Sequence, residues 1–169
     1  RSLGKSVEFK GKTYHVLDAE TLDFAKADIG LFSAGGDISA KYAPRAAARG
    51  CVVIDNTSQF RYEADIPLVV PEVNPEAIAQ YKNRGIIANP NCSTIQMLVA
   101  LKPLHDAAVI ERINVATYQS VSGAGKKAVD ELAEQTVALM SGKGPVKGKV
   151  IPKQIAFNVV PQIDKFQDN

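Results

Sequence analysis

Three short runs of consecutive apolar residues mark the first half of the chain, and each empties into a polar or glycine-bearing turn. Asp28-Ile29-Gly30-Leu31-Phe32-Ser33 leads into Ala34-Gly35-Gly36-Asp37, Cys51-Val52-Val53-Ile54-Asp55 into Asn56-Thr57-Ser58-Gln59, and Ile86-Ile87-Ala88 into Asn89-Pro90-Asn91-Cys92. Runs this short, bounded by turn signals, predict strands. The alanine-rich stretch 38–49, stopped by Gly50, predicts a helix between the first two, and Pro75 to Asn83 predicts another before the third. Val7 to Phe9 and Thr13 to Val16 alternate about Gly11 like a hairpin, Leu22 to Ala27 is a short helical or loop piece, and Pro67 to Val73 is extended. Uninterrupted apolar strands alternating with helices predict an α/β fold whose mostly parallel sheet is covered on both faces. Ligands then sit beyond the carboxyl ends of the strands, where all three turns fall.

The pattern changes after Cys92. Ser93 and Thr94 open a long apolar run (Ile95, Met97, Leu98, Val99, Leu101, Leu104) that predicts a buried helix. Ile113 to Val121 alternates like a long strand and ends in the small-residue turn Ser122-Gly123-Ala124-Gly125-Lys126. A helix from Lys127 to Met140, a basic Gly/Pro loop from Gly142 to Lys149 and a last strand from Ile155 to Val160 follow. The texture places a domain boundary near Cys92, dividing the chain into 1–91 and 92–169.

Cys92 is the first chemical candidate. Asn-Pro-Asn forces a turn, because Pro90 fixes φ and pushes the preceding residue out of the helical region. The thiol therefore lies at or just before a helix N-terminus. Free N–H groups and the positive end of the helix dipole there favour a thiolate and draw the pKa below its free value of about 8.5. The competing reading is a thiol packed as a small hydrophobe. With 169 residues, 46% of them hydrophobic, the chain can bury a core. A net charge of +2 with scattered lysine and arginine argues against a nucleic-acid partner. No apolar segment approaches the roughly 18 residues of a membrane helix, and no signal peptide is visible. Two distant cysteines argue against a disulfide framework and fit a reducing, cytoplasmic setting; with only two histidines besides, no metal cluster is proposed.

Other signals carry less. The turn 122–126 is not a P-loop, since Ser120 replaces the required glycine and Lys127 the Ser/Thr. Arg61, after a strand-end turn, could clamp phosphate or carboxylate in bidentate fashion, or be a solvated surface side chain. Gln119 lies among apolar residues mid-strand, where a buried amide needs partners. Cys51 reads as packing, His15 as surface, and Tyr42 and Tyr118 as core or interface aromatics. His105 lies about 19 Å from Cys92 by helical rise, too far to act as its base. A Cys/His pair within the chain is thereby ruled out. A non-catalytic nucleotide-binding or scaffold domain remains open, as does a thiol redox sensor pairing Cys92 with Cys51.

Four motifs together resemble a known family: Asn89-Pro90-Asn91-Cys92-Ser93-Thr94, Asp55-Asn56-Thr57-Ser58-Gln59-Phe60-Arg61, Val70-Pro71-Glu72-Val73-Asn74 and Ala116-Thr117-Tyr118-Gln119-Ser120-Val121-Ser122-Gly123. In that order, and over essentially the whole chain, they are similar to bacterial aspartate-β-semialdehyde dehydrogenases. N-acetyl-glutamyl-phosphate reductases are the nearest alternative, but their cysteine is followed by Tyr-Pro where Ser93-Thr94 stands here. The resemblance implies a partial Rossmann-like NADP-binding domain followed by part of an α+β catalytic and dimerisation domain. It implies reduction of aspartyl phosphate by NADPH on the route to lysine (with diaminopimelate), threonine and methionine. It casts Cys92 as nucleophile, Gln119 as the amide that orients substrate, and Arg61 and Asn91 as phosphate-site residues. Arg1 and Ser2 fall near the adenosine 2′-phosphate, and Ser33, Ala34, Gly35, Ser122 and Gly123 match cofactor-contacting backbone. It further implies a homodimer, a glycine-rich phosphate loop ahead of Arg1, and a catalytic histidine and a carboxylate-binding arginine beyond Asn169. The 169 residues alone are then a middle fragment expected not to turn over.

Overall fold

The computed structural model describes residues 2–144 and 146–162. The chain divides into two compact units, Arg1–Arg112 and Ile113–Asn169.

In the first unit, β1 (Ser6–Phe9) and β2 (Lys12–His15) form an antiparallel hairpin in register Ser6↔His15. Its two-residue turn places Lys10 at φ 48° and Gly11 at φ 73°, the left-handed pair that matches the twist of a tight hairpin. Every hairpin residue is exposed, so this ribbon adds little to the core.

The core is a parallel sheet of β3 (Ile29–Phe32), β4 (Val52–Asp55) and β5 (Ile86–Ala88), with β4 in the middle. Ile29 faces Val52, and Ile54 faces Ile87. Leu68 adds a parallel bridge to Ala88 along the extended segment after Pro67. Helix α1 (Gly36–Ala47) turns Tyr42, Ala43 and Ala46 inward, into one cluster with Val53, Ile86 and Ala88 of the sheet and with Phe24, Cys51, Phe60 and Ile66. Burying a side chain such as Ile86 contributes roughly 1.5–3 kcal/mol. Pro75–Asn83 is helical as the pattern predicts, in the tighter 3-10 form.

Two expectations are corrected here. The sheet is fully covered on one face only: Val53, Asp55, Ile86 and Ala88 are buried there, whereas on the other Val52, Ile54 and Ile87 are half-buried, Ile29 is exposed and Leu31 is 80% exposed. Helix α2 (Cys92–Ala107) is not a buried helix either, for none of its residues is buried and Val99 and Leu104 are exposed. Its apolar positions run nearly all round the helix, so one neighbouring layer cannot cover them.

Ahead of β3, Glu20 gathers cations and a hydroxyl from α1: Lys41 Nζ at 2.7 Å, Tyr42 Oη at 2.7 Å and Arg45 Nη1 at 3.1 Å all donate to its carboxylate. The Lys41 and Tyr42 hydrogen bonds draw the Glu20 carboxyl from its ordinary 4.5 down to about 2.

In the second unit, Val121–Ala124 is a 3-10 turn that leads into α3 (Lys126–Met140). Neither Ile113–Val121, despite its alternation, nor Ile155–Val160 is the strand expected from the sequence. A strand needs a neighbour to complete its ladder, and in the segment from Lys149 to Ala156 side chains of α3 take backbone donors instead. Glu131, 6% exposed, accepts from the N–H groups of Lys149, Val150 and Ile151 at 2.7, 2.6 and 3.2 Å. One turn on, fully buried Gln135 accepts from Ile155 and Ala156 at 2.8 and 3.1 Å. Burial opposes the charge on Glu131, yet the three amides outweigh it and hold its carboxyl below the usual range.

Two outcomes follow. Glu131→Ala strips a buried acceptor from three amides and lowers the stability of the second unit by roughly 3 kcal/mol, read by chemical denaturation, with Glu131→Gln losing less. Because the Glu20 carboxyl is depressed in the folded state, its contribution is complete above about pH 4.5 and fades as pH falls toward about 2. Glu20→Gln should therefore flatten the acid limb of an unfolding-versus-pH curve in that window, and added salt should shrink the difference, since the network is half exposed.

Candidate active site

The carboxyl ends of β3, β4 and β5 carry the three turns singled out in the sequence. At β5 the strand stops at Ala88 and the chain turns through Asn89, buried Pro90 and Asn91 into α2. Asn91 is the N-cap: its Oδ1 accepts from Ser93 N–H at 3.0 Å and Thr94 N–H at 3.4 Å. Cys92 is the first helical residue, exposed and unpaired. The expectation of open amides around the thiol needs amending, because the cap side chain already occupies the donors of the next two residues.

At β4, Asp55 is fully buried and its carboxylate holds the turn that follows. Ser39 Oγ on α1 donates to Oδ1 at 2.6 Å, and Thr57 donates through Oγ1 to Oδ2 at 2.7 Å. The turn delivers Arg61, whose Nε donates to the Asn89 carbonyl at 2.9 Å and whose Nη2 donates to the Asn56 carbonyl at 3.3 Å. Arg61 is thus half-buried and anchored rather than a free surface side chain, and its Nη1 has no partner among the described residues. Asn89 Nδ2 also donates to Asn56 Oδ1 at 2.7 Å. Arg61, Asn91 and Cys92 therefore share one rim, joined through Asn89.

At β3, Ser33, Ala34 and Gly35 are exposed. Gly35 caps α1 at φ 110°, ψ 156°, backbone that only glycine adopts readily, and no side chain occupies the first amides of the helix. An anionic group of a nucleotide fits such an end, since unfilled N–H groups and the helix dipole both favour it.

In the second unit, Gln119 is exposed and outside any strand, so the buried amide read from the sequence is corrected. Its side chain lies against Gly123, where a Cβ would collide with the amide. Ser122 and Gly123 sit in the exposed 3-10 turn that Ser120 caps. Tyr118 is 87% exposed, not a core aromatic, whereas Tyr42 is buried. Ser2 is exposed and its carbonyl accepts from Lys5 N–H at 3.1 Å; Arg1 lies outside the described residues. His15 bonds Ser6 on the hairpin, and His105 accepts from the Ile110 N–H at the far end of α2. Among the described residues no group of three or more His, Cys, Asp or Glu could hold a metal, and no helix is long and apolar enough to cross a membrane.

Sequence reasoning missed the Asn56–Asn89 bridge, the Asp55 anchor and the Glu131–Gln135 pair. The last had a signal, two polar residues four apart on a helix face otherwise led by Ala128 and Leu132.

The two cysteines should separate cleanly. Burial pushes the Cys51 thiol up, and the Asp28 charge adds to it, while Cys92 is exposed. Brief iodoacetamide treatment at neutral pH followed by peptide mass analysis should show Cys92 alkylated at least on the order of tenfold faster than Cys51.

Comparison with known proteins gives a consistent answer. The model of the semialdehyde dehydrogenase NAD-binding domain matches residues 1–81, and that of the semialdehyde dehydrogenase dimerisation domain matches residues 101–169. An aspartate-semialdehyde dehydrogenase of Shewanella violacea is 67% identical over 169 residues, covering 100% of this chain and 50% of its own length. The crystal structure of aspartate semialdehyde dehydrogenase II from Vibrio cholerae, complexed with ASA, superposes with a TM-score of 0.91 at 64% identity, over 99% of this chain and 49% of that one. A Candida albicans aspartate semialdehyde dehydrogenase solved with NADP gives a TM-score of 0.52 at 26% identity, over 65% and 38%. The chain spans about half the length of the curated relatives it matches.

Proposed function

This chain belongs to the semialdehyde dehydrogenase family, and from that premise we propose that it supplies the thiol half of an aspartate-semialdehyde dehydrogenase. The reaction is reductive dephosphorylation of aspartyl 4-phosphate to aspartate 4-semialdehyde. The observation that carries this reading is an exposed thiol at the first position of α2, on the same rim as a guanidinium anchored by two of its nitrogens with a third unused.

In this mechanism the Cys92 sulfur attacks the acyl carbon of the substrate, the carbon–oxygen bond to phosphate breaks, and a thioester forms on Cys92. Arg61 Nη1 and Asn91 take the phosphate oxygens, so the leaving group departs onto positive charge. The family resemblance gives Gln119 the role of orienting substrate. NADPH, when bound, would supply the hydride for reduction of the thioester, with the Cys92 sulfur as the leaving group. The family match supports a nucleotide cofactor, and the Candida albicans relative carries NADP. Ser33, Ala34 and Gly35 at the start of α1 would hold it, Arg1 and Ser2 would meet the 2′-phosphate, and the family resemblance gives Ser122 and Gly123 a cofactor-contacting role as well. We place the partial nucleotide-binding domain at 1–91 and the partial catalytic and dimerisation domain at 92–169, with a homodimer as the working assembly. His105 lies about 19 Å from Cys92 along the helix, too far to take its proton, and His15 is bonded to Ser6 on the hairpin.

In the full chain, NADP-dependent and phosphate-dependent oxidation of aspartate semialdehyde, followed through the absorbance of the reduced nicotinamide, should fall on the order of a thousandfold or more in Cys92→Ser. Arg61→Ala should raise KM for phosphate far more than Arg61→Lys does. The 169-residue chain alone is expected to give no steady rate; a sustained rate from it would show that the rest of the relatives' length is dispensable.

A further inference from the structure

The mechanism uses Arg61, Asn91 and Cys92 and gives Asn56 and Asn89 no chemical role, yet these two side chains tie the β4 and β5 turns together. Asn89 is gripped three ways. Its N–H donates to the Asp55 carbonyl at 2.8 Å, its carbonyl accepts from Arg61 Nε at 2.9 Å, and its Nδ2 donates to Asn56 Oδ1 at 2.7 Å. Arg61 Nη2 reaches the Asn56 carbonyl at 3.3 Å and closes a ring of three residues. Only Pro90 and Asn91 separate Asn89 from Cys92. Neither gives slack, since Pro90 is buried with φ fixed by its ring and Asn91 is locked as the helix cap.

We infer that Asn89 is a positioning residue for Cys92, and that the Asn56–Asn89 bridge couples anion occupancy at Arg61 to the placement of the thiol. This rests on the assignment of Cys92 and Arg61 above. An anion drawn to Nη1 pulls on the guanidinium. With the ring closed, Nε carries the Asn89 carbonyl and hence the turn that ends in the sulfur. With the ring opened at Asn56, the guanidinium can follow the anion while the turn stays behind. Asn56 is exposed, so its bond to Asn89 competes with water and does little for the core. Its value lies in registration.

The test uses the full chain, inorganic phosphate as probe and iodoacetamide as reporter of Cys92. In the unaltered protein, phosphate at roughly twice its Kd should slow Cys92 alkylation about threefold. In Asn56→Ala, phosphate should still bind, read by 31P line broadening, but the alkylation rate should no longer respond to it. Asn56→Asp keeps the Oδ1 acceptor and should restore the response, and Asn89→Ala should abolish it from the other side of the bond. Protection in Asn56→Ala equal to that of the unaltered protein overturns the coupling and leaves the assignment of Cys92 and Arg61 standing. Loss of phosphate binding together with protection also overturns it, because Asn56 then belongs to the anion site itself. No response in the unaltered protein, with Arg61→Ala alike, removes the Arg61 assignment and the coupling with it. Circular dichroism melts of the unaltered protein and the four variants exclude any variant that fails to fold, and Asn89→Ala serves if Asn56→Ala is one of them.

Discussion

A single buried carboxylate holds the reactive rim together. Asp55 ends the central strand with no solvent contact, and both of its side-chain oxygens accept hydrogen bonds, as buried polar atoms require. Ser39 brings α1 to it, and Thr57 folds the following turn back on it. The Asp55 carbonyl accepts the N–H of Asn89 and so sets where the neighbouring turn begins. Helix, central turn and thiol-bearing turn are thereby referred to one residue. The apolar core beneath, from Tyr42 to Ile86, provides the bulk of the stability, but it has no direction of its own. Directional bonds around Asp55 convert that packing into a geometry that chemistry can use.

What could be read from residues alone follows the same division. Elements built from local pattern were legible: the three apolar strands, the alanine-rich helix with its glycine stop, and the Asn-Pro-Asn turn that places a cysteine at a helix start. Elements whose form depends on a partner were not. Ile113–Val121 alternates as a strand should, yet alternation states only what a strand would do if a neighbour offered its edge. In the second unit Glu131 and Gln135 answer those backbone donors in the return segment instead, and no ladder forms there. The site behaves alike. Cys92 was visible because its neighbours in sequence fix its setting, whereas the grip on Arg61 crosses 28 residues and has no sequence periodicity to betray it.

The cap at Asn91 also revises the simplest account of thiol activation. A helix N-terminus offers a fixed supply of donors, and here a side chain has drawn on two of them. What the helix still offers the sulfur is its dipole and the one amide that precedes them. A thiolate or a phosphate oxygen that takes the Ser93 or Thr94 amide must displace the Asn91 side chain. The cap and the anion thus compete, so the residue that best stabilises the helix also sets how readily its terminus is given to chemistry.

Strand β3 bears on how this chain is handled. Among the described residues it pairs with β4 along one edge and with no strand along the other, and Ile29 and Leu31 stand bare on that strand. A row of free N–H and C=O groups next to branched aliphatic side chains is a template onto which another molecule's backbone can zip. Association through such an edge would rise with protein concentration and be insensitive to reductant, which would set it apart from any clumping that the exposed thiol could cause.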